Sequence, residues 1–435
     1  MESPWLDKEV MEPYRTRYRW VMLVLVSILY WVFGVVIRST APLVTPILED
    51  LNISYSQMGI ILAAWPLTYI LVAVVSGAVL DRWGIRKSLS VGVAIIGLSE
   101  FLRYFANGFA SMVLCVALLG LGGPMISVGC PKTISVWFRG KGRGMAVGVY
   151  MTAVWIGSLT AYSTVNSVVM PLTGYSWRVT FVCYSLPAFA AALLWWLLAK
   201  DVSHVEASER TSIVKVFTGL IGIRDVQLIL IMGFLSFAIS HGFNDWLPKI
   251  LETGGLSPKI AGFAASIPLA VAIPAVLIVP RLVAPRLRGG IAALLALATA
   301  IAVLIVATAS DIPLIAGLVF YGVSFCPIIP LLVLILMDLP EVSSRYMGSA
   351  GGMLFCVGEI GGFAGPFIIG AIKDLTGSFL VGACFLASLS VIISVMGLLL
   401  KPSLSQTHKF DVIVKSRNQT AKKKDPDARR ANSEE

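Results

Sequence analysis

Long apolar stretches alternate with short polar joints along the whole chain. Most of the stretches reach about 20 residues, the length that an α-helix needs to cross the hydrocarbon core of a membrane. Glycine, proline, asparagine or charged residues mark the joints. The pattern predicts an all-α integral membrane protein. Its twelve predicted transmembrane helices are residues 19–46, 56–79, 86–106, 111–136, 143–168, 178–199, 226–250, 257–282, 289–309, 313–337, 346–372 and 379–400.

A polar segment between spans 6 and 7 divides the predicted helices into two sets of six. The two sets show faint self-similarity, since Trp65-Pro66-Leu67 aligns with Ile267-Pro268-Leu269 and Arg86 with Arg288. Spans arranged in this way predict a transporter built from repeats. The predicted domains are an N-terminal segment (1–18), a first six-helix bundle (19–199), a linker (200–225) with an amphipathic helix around Ile213–Ile221, a second six-helix bundle (226–400) and a disordered basic tail (401–435).

Composition and charge narrow the class of protein further. Hydrophobic residues make up 57% of the 435 residues and charged residues only 13%, which fits a lipid bilayer as the surroundings. Most of the 34 Lys and Arg fall in the two tails and in the loops on the same side. The positive-inside rule therefore predicts cytoplasmic termini in a multi-pass protein of the plasma membrane. The net charge of +10 then reflects topology and lipid headgroups, so we expect no nucleic-acid partner.

The cysteines and the missing nucleotide motif argue against enzymatic chemistry. All six cysteines fall within predicted spans, and none has metal-ligand spacing. The chain has no Gly-Lys-Ser/Thr phosphate-binding loop, which argues against an ATP-driven pump. We therefore expect a monomer without a cofactor or a metal, and a function other than catalysis.

Arg38 lies inside the first apolar stretch. A guanidinium stays charged at physiological pH and costs about 3 kcal/mol or more near the centre of a bilayer. Chains keep such a group where it lines a water-filled cavity or holds an anion, so Arg38 predicts an anion pathway. The alternatives are that it snorkels outward or pairs with a buried acid. Trp31 projects from nearly the same face of span 1 and is a candidate wall residue.

Four further polar residues lie inside predicted spans. Glu359 is near the centre of span 11, where an ionised carboxylate is costly, so it is the main candidate for a proton carrier. His241 and Asp245 share one face of span 7 and are also candidates for proton coupling. The alternative for this pair is a water-facing cluster at the outer end. Lys132 in span 4 is either a second anion contact or a snorkelling lysine.

The joint between spans 2 and 3 carries a motif. Its sequence resembles the signature G-x-x-x-D-R-x-G-R-[RK] of the Major Facilitator Superfamily, with one extra residue, Ile85, before the final basic pair. The matching positions are Gly77, Asp81, Arg82, Gly84, Arg86 and Lys87. The resemblance implies two pseudo-symmetric six-helix bundles. It also implies that this loop locks the outward-open state, with Asp81 pairing with Arg139 or Arg143 and capping a helix of the other half.

Other positions resemble particular branches of that superfamily. Spans 1, 4, 7 and 10 line the cavity in the family, which implies wall positions for Tyr321 and Ser324 of span 10. The arginine in span 1, followed by Pro46, is similar to the anion:cation symporters, where this arginine binds the substrate carboxylate. The nitrate/nitrite porters and the cyanate-permease-like group are related anion-handling branches. The chain departs from the symporter pattern at Thr40, which replaces Asn, and at Ile126, which replaces a proton-coupling Glu.

These observations predict a secondary active transporter of a small organic, carboxylate-type or inorganic anion. The expected mechanism is alternating access, with protons as the coupling ion in symport. One alternative is a drug or cation exporter of the same superfamily, although the chain lacks the exporters' Gly-Pro motif in span 5. The other is a sensor that binds solute on a transporter fold without moving it.

Overall fold

The structure is a computed structural model that describes residues 17–200, 219–339, 342 and 347–400. Within this part of the chain, twelve helical stretches are long and apolar enough to cross a membrane. The predicted all-α fold class and the number of spans are therefore confirmed. The predicted tail and residues 213–218 of the predicted linker helix around Ile213–Ile221 lie outside the described residues.

The twelve spans follow one another in two sets. The first set is span 1 (Tyr18–Ser39, a 3₁₀ turn Ala41–Leu43 and Val44–Leu51), span 2 (Tyr55–Trp83), span 3 (Ile85–Leu102 and a 3₁₀ turn Arg103–Phe105), span 4 (Phe109–Trp137), span 5 (Gly140–Thr164, a π turn Val165–Val169 and Met170–Leu172) and span 6 (Trp177–Leu198). The second set is span 7 (Arg224–Asn244, then a short helix Leu247–Thr253), span 8 (Pro258–Leu282), span 9 (a 3₁₀ turn Pro285–Leu287 and Arg288–Thr308), span 10 (Asp311–Phe325 and Ile328–Asp338), span 11 (Met347–Thr376) and span 12 (Phe379–Leu399).

Three predicted continuous spans are interrupted in the structure. Span 1 breaks after Ser39, span 7 after Asn244 and span 10 after Phe325. A proline follows each break within four residues, namely Pro42, Pro248 and Pro327. Proline lacks a backbone N–H and disfavours a helical conformation in the residue before it, so the helix ends and restarts. The breaks leave backbone groups and side chains free to point between the two sets of spans.

Glycines bring the spans of each set into close contact. A Cβ atom added at Gly361 of span 11 would lie 2.0 Å from the carbonyl oxygen of Phe234 in span 7. One added at Gly157 of span 5 would lie 2.0 Å from the carbonyl oxygen of Trp31 in span 1. Real side chains do not tolerate such distances, so glycine is required at both positions. Spans 7 and 11, and spans 1 and 5, are among the most closely packed pairs of the described chain.

The two sets of spans form two halves that meet along spans 2 and 11 and along spans 5 and 8. We call the end where Leu198 closes span 6 and Arg224 opens span 7 the linker end, and the opposite end the far end. Backbone contact between the halves is tight near the far end. A Cβ added at Gly262 of span 8 would lie 2.4 Å from the carbonyl oxygen of Tyr162.

Candidate functional site

Arg38 is buried and forms an ion pair with Asp245 across the two halves. Its Nη1 donates to Oδ1 of Asp245, which is 207 residues away in sequence. Arg38 occupies the last turn of the first piece of span 1, and Asp245 immediately follows the break in span 7. The two helix breaks therefore place a guanidinium and a carboxylate against each other between the halves.

The ion pair continues into a chain of ionisable side chains. Nδ1 of His241 lies 3.5 Å from Oδ2 of Asp245, and Nε2 of the same imidazole lies 3.7 Å from Oε2 of Glu359. His241 and Asp245 are one helical turn apart, whereas Glu359 reaches the imidazole from span 11. All four side chains are buried. We call Arg38, Asp245, His241 and Glu359 the charge cluster.

Several polar atoms of the charge cluster have no hydrogen-bond partner in the described part of the chain. They are Nδ1 of His241, Oδ2 of Asp245 and Oε2 of Glu359. A buried polar atom without a partner costs about 1–3 kcal/mol, more when it is charged. Groups held in this way are suited to accepting a proton or a polar ligand, because either event satisfies them.

Aromatic and amide groups surround the cluster. Tyr162 donates its hydroxyl to the backbone oxygen of Asn244 at 2.5 Å, across the halves. The side-chain amide of Asn244 donates in turn to the hydroxyl of Tyr321 at 3.3 Å. The ring of Trp65 lies 5.5 Å from that of His241 between centroids. The cluster is thus surrounded by aromatic rings and by hydroxyl and amide groups that form hydrogen bonds.

Two residues expected to line the substrate cavity lie elsewhere. The hydroxyl of Ser324 accepts from Thr299 of span 9 at 3.2 Å, so it faces the interior of its own half. Lys132 forms an ion pair of 2.5 Å with Asp81 at the linker end. Both residues lie in the predicted spans, 10 and 4. Ser324 faces away from the cluster because of the rotation of its helix, and Lys132 lies away from it because it is close to the linker end. Trp31 is half-buried, and its indole donates to Thr160 at 3.3 Å, on the linker side of Arg38.

Tyr162 and Trp65 were missed by the sequence analysis. Each is one aromatic residue among many in an apolar span, so nothing in its local pattern distinguishes it from ordinary packing. Pairing with a buried acid was one of the alternatives for Arg38, and the structure shows this pairing. Asp245 was not identified as that acid, because sequence alone does not reveal a contact between spans 1 and 7.

The signature loop at the linker end forms a tight turn. Gly84 has a φ of 81°, a conformation that favours glycine, and it separates spans 2 and 3. Nε of Arg86 donates to the backbone oxygen of Trp196 at 2.7 Å. Gly77 does not provide close packing here, because a Cβ added to it would meet nothing within 4 Å.

The remaining signature charges lie at the surface of the linker end. Asp81, expected to pair with Arg139 or Arg143, forms its ion pair with Lys132 of its own half. The side chains of Arg82, Lys87, Arg139 and Arg143 are exposed. The second half also has an ion pair at this end, in which Arg288 at the start of the span 9 helix binds Asp338 of span 10.

Hydrogen bonds at the far end join the halves. The carboxylate of Asp374 in span 11 accepts from the backbone N–H groups of Tyr55 at 3.0 Å and Ser56 at 2.7 Å, and so caps the N-terminus of span 2. Thr45 of span 1 donates to Glu252 and accepts from Lys249 of the other half. We call Asp374, Tyr55, Ser56, Thr45 and Glu252 the far-end latch.

Glu252 is the latch residue that accepts the hydrogen bond from Thr45. Burial raises the pKa of its carboxyl above the ordinary value, although the hydroxyl of Thr45 and the ammonium of Lys249 act in the opposite direction. The latch and the ion pair of Arg38 with Asp245 together hold the two halves in contact from the cluster to the far end. The structure therefore represents a conformation that is closed at the far end.

Twelve spans in two halves, joined around a buried charge cluster, define a polytopic membrane protein of the transporter class. The sequence model described as the Major Facilitator Superfamily matches residues 26–366. The chain belongs to this family, and it is a multi-pass membrane protein and not an enzyme. A solved structure of similar fold is the D-xylose-proton symporter, with a TM-score of 0.74 at 17% identity over 88% of this chain and 97% of that chain.

Curated relatives have several named functions. A hexuronate transporter of Bacillus subtilis is 25% identical over 53% of this chain and 56% of its own, so the match spans little more than half of that relative. A putative tartrate transporter of Agrobacterium vitis is 27% identical over 81% of this chain and 86% of its own. A quinolone resistance transporter of Acinetobacter baumannii is 26% identical over 81% and 85%.

Proposed function

We propose that this protein is a secondary active transporter of small organic anions of the carboxylate type, coupled to protons. The observation that carries the proposal is the buried guanidinium of Arg38, held between the halves by one carboxylate. The names of the hexuronate and tartrate transporters support an organic acid as the substrate. We further propose that the protein is a monomer in the plasma membrane with both termini in the cytoplasm, so that the linker end faces the cytoplasm.

The proposed binding step exchanges one carboxylate for another. A substrate carboxylate takes the place of Asp245 on the planar fork of Arg38, which suits two parallel hydrogen bonds. Asp245 then lies buried without its cation. Leaving this carboxylate charged and unpaired costs more free energy than protonating it, so Asp245 takes up a proton. Anion binding and proton uptake thus favour each other. His241 connects Asp245 to Glu359, so a proton has a route from one carboxylate to the other.

The same exchange links binding to the conformational cycle. The bond from Arg38 to Asp245 is one of those that join the halves, so a substrate that replaces it weakens the closure at the far end. The two conformations then differ in affinity for substrate, as a ligand-driven shift requires. In the outward-open conformation, we propose that the signature residues close the linker end. Gly77 then packs against the other half. Asp81 leaves its ion pair with Lys132 and forms one with Arg139 or Arg143.

A drug exporter is the second candidate, favoured by the similarity to the quinolone resistance transporter. A melting experiment separates the two. Purified protein in detergent is heated with glucuronate, tartrate, nitrate or a quinolone, at pH 5.5 and pH 8. We expect glucuronate or tartrate to raise the melting temperature, more strongly at pH 5.5, and we expect Arg38→Ala to abolish the effect. Stabilisation by the quinolone alone would contradict the proposal and favour the exporter.

A further inference from the structure

The first half contains a second pair of buried charges that the proposed transport cycle does not use. Glu100 and Arg103 of span 3 form an ion pair of 2.8 Å, and neither residue has any exposed surface. The ring of Phe181 covers the guanidinium, with 5.0 Å between Cζ and the ring centroid.

This pair is bonded to the two residues that follow Arg38. The hydroxyl of Ser39 donates to Oε1 of Glu100 at 2.7 Å. Nη1 of Arg103 donates to Oγ1 of Thr40 at 2.9 Å. Span 1 breaks at this point, between Ser39 and the 3₁₀ turn that begins at Ala41. The ion pair therefore holds the end of the helix that carries Arg38.

Helix geometry explains what this attachment does. Consecutive residues of an α-helix point about 100° apart, so Ser39 faces span 3 while Arg38 faces span 7. Fixing the hydroxyl of Ser39 fixes the rotation of the helix about its axis. That rotation sets the direction in which the guanidinium of Arg38 enters the space between the halves.

Stability alone does not account for the pair. Replacing a buried ion pair with apolar residues of similar volume is often neutral or stabilising, whereas removing one partner is strongly destabilising. Oε2 of Glu100 and Nε of Arg103 also have no partner in the described part of the chain. A buried ion pair that is costly in free energy and binds Ser39 and Thr40, the two residues after Arg38, indicates a role in positioning Arg38.

We infer that Glu100 and Arg103 are positioning residues for the carboxylate-binding guanidinium of Arg38. The inference rests on the proposed function for its reference to substrate, but its structural part does not. The pair holds Ser39 and Thr40, and these hold the last turn of the helix at the angle that directs Arg38 toward Asp245 or toward a substrate carboxylate.

The first test is the double variant Glu100→Leu/Arg103→Met, which leaves no buried charge unpaired. The dissociation constant for glucuronate is measured in detergent together with the melting temperature. We expect the dissociation constant to rise about tenfold, as the loss of one hydrogen bond to a charged group would give, while the number of binding sites is preserved and the protein still melts in one cooperative transition. The matched control Asp50→Leu/Arg178→Met removes an exposed ion pair at the same end of the same half and should change neither value.

The second test needs no substrate and separates this inference from the proposed function. Asp245→Asn is introduced into the wild type and into the double variant, and the loss of melting temperature is compared. If the pair aligns Arg38 with Asp245, the loss is clearly smaller in the double variant, because the partners there are already misaligned. Equal losses in both backgrounds would overturn the inference. So would an unchanged dissociation constant in a protein whose wild type binds glucuronate. Failure of the wild type to bind any carboxylate overturns the proposed function instead.

Discussion

Arg38 and Arg103 are both buried arginines of the first half, but their partners differ. Arg103 is paired within its own half, donates to hydroxyls and lies against an aromatic ring. The acid of Arg38 comes from the other half, and the neighbouring groups His241 and Glu359 have unsatisfied atoms. In the proposed alternating-access cycle, a charge held across this interface changes partners when the halves separate. This difference makes Arg38 the candidate for binding substrate and leaves Arg103 a supporting role.

Glu359 is the residue on which we expect energy coupling to depend. Glu359→Gln mimics the protonated side chain and should retain exchange of substrate for substrate across proteoliposomes. Accumulation driven by a pH gradient should be lost, because the imidazole of His241 no longer has an acid on its span 11 side. The control Asp311→Asn changes an exposed carboxylate at the start of span 10 and should preserve both activities. If accumulation persists in Glu359→Gln, coupling lies elsewhere.

At this scale, sequence analysis identified single residues but not their contacts. Arg38, His241, Asp245 and Glu359 stood out because a polar group inside an apolar span is costly. Their assembly into one cluster depends on the packing of spans 1, 7 and 11, which a single sequence does not specify. Lys132 stood out for the same reason, although it is paired with Asp81 at the linker end.

Among the helices, the glycines at crossing points have two separate functions. Gly361 lies against Phe234 within the second half, whereas Gly262 lies against Tyr162 of the first half. In the proposed alternating-access cycle, a contact within a half persists throughout. A contact between the halves exists only while the far end is closed.

Alanine substitutions should distinguish these two classes. Alanine favours a helix by about 1 kcal/mol over glycine, so any loss must come from the clash. Gly361→Ala should lower the stability of the fold by about 1–3 kcal/mol or more, seen as a lower melting temperature and poor expression. Gly262→Ala should fold normally but open the far end. The reporter is a cysteine in place of Asn166, which lies at the far end in the π turn Val165–Val169 of span 5. It should react faster with a maleimide that does not cross membranes.

Gly290→Ala is the matched control for both substitutions, because a Cβ at this position in span 9 would meet nothing within 4 Å. We expect it to be neutral or slightly stabilising. Equal behaviour of Gly262→Ala and Gly361→Ala would show that the division into fixed and transient contacts is wrong.

The helices themselves were easier to predict than their interruptions. Apolar length determined all twelve spans because a lipid environment requires continuous hydrogen-bonded helices. The breaks near Thr40 and Asp245 were not predicted. The prolines that follow them resemble those inside spans 4 and 8, which remain continuous helices. Whether a proline bends or ends a helix depends on neighbours that supply the missing hydrogen bonds.

On the scale of the whole molecule, the two ends have different kinds of contact. The far-end latch joins the halves, whereas the ion pairs Asp81–Lys132 and Arg288–Asp338 at the linker end each lie within one half. Each half therefore has an ion pair of its own at the linker end, which does not hold the two halves together. The polar segment between spans 6 and 7 indicated two halves. The sequence did not indicate the end at which the halves are closed.

Loss of the latch should shift the balance between the two conformations. Asp374→Ala removes the acceptor for the N-terminus of span 2, and a loss of about 1–3 kcal/mol would change the ratio of states by roughly 5- to 150-fold. We expect faster labelling of a cysteine at Asn166 together with slower transport. Asp81→Asn weakens the proposed closure of the opposite end and should slow the same labelling reaction. Changes in the same direction for both variants would contradict alternating access about these two ends.

The most direct test of the central claim is the uptake of labelled glucuronate into proteoliposomes under an inward proton gradient. We expect the wild type to accumulate the substrate and Arg38→Ala to give no more signal than empty vesicles. Arg38→Lys should retain a remnant with a substrate affinity lowered about tenfold or more, since an ammonium lacks the planar fork. Arg178→Ala, which removes an exposed arginine at the far end, serves as the control. Full accumulation by Arg38→Ala at normal expression would contradict the proposal that this guanidinium holds the transported anion.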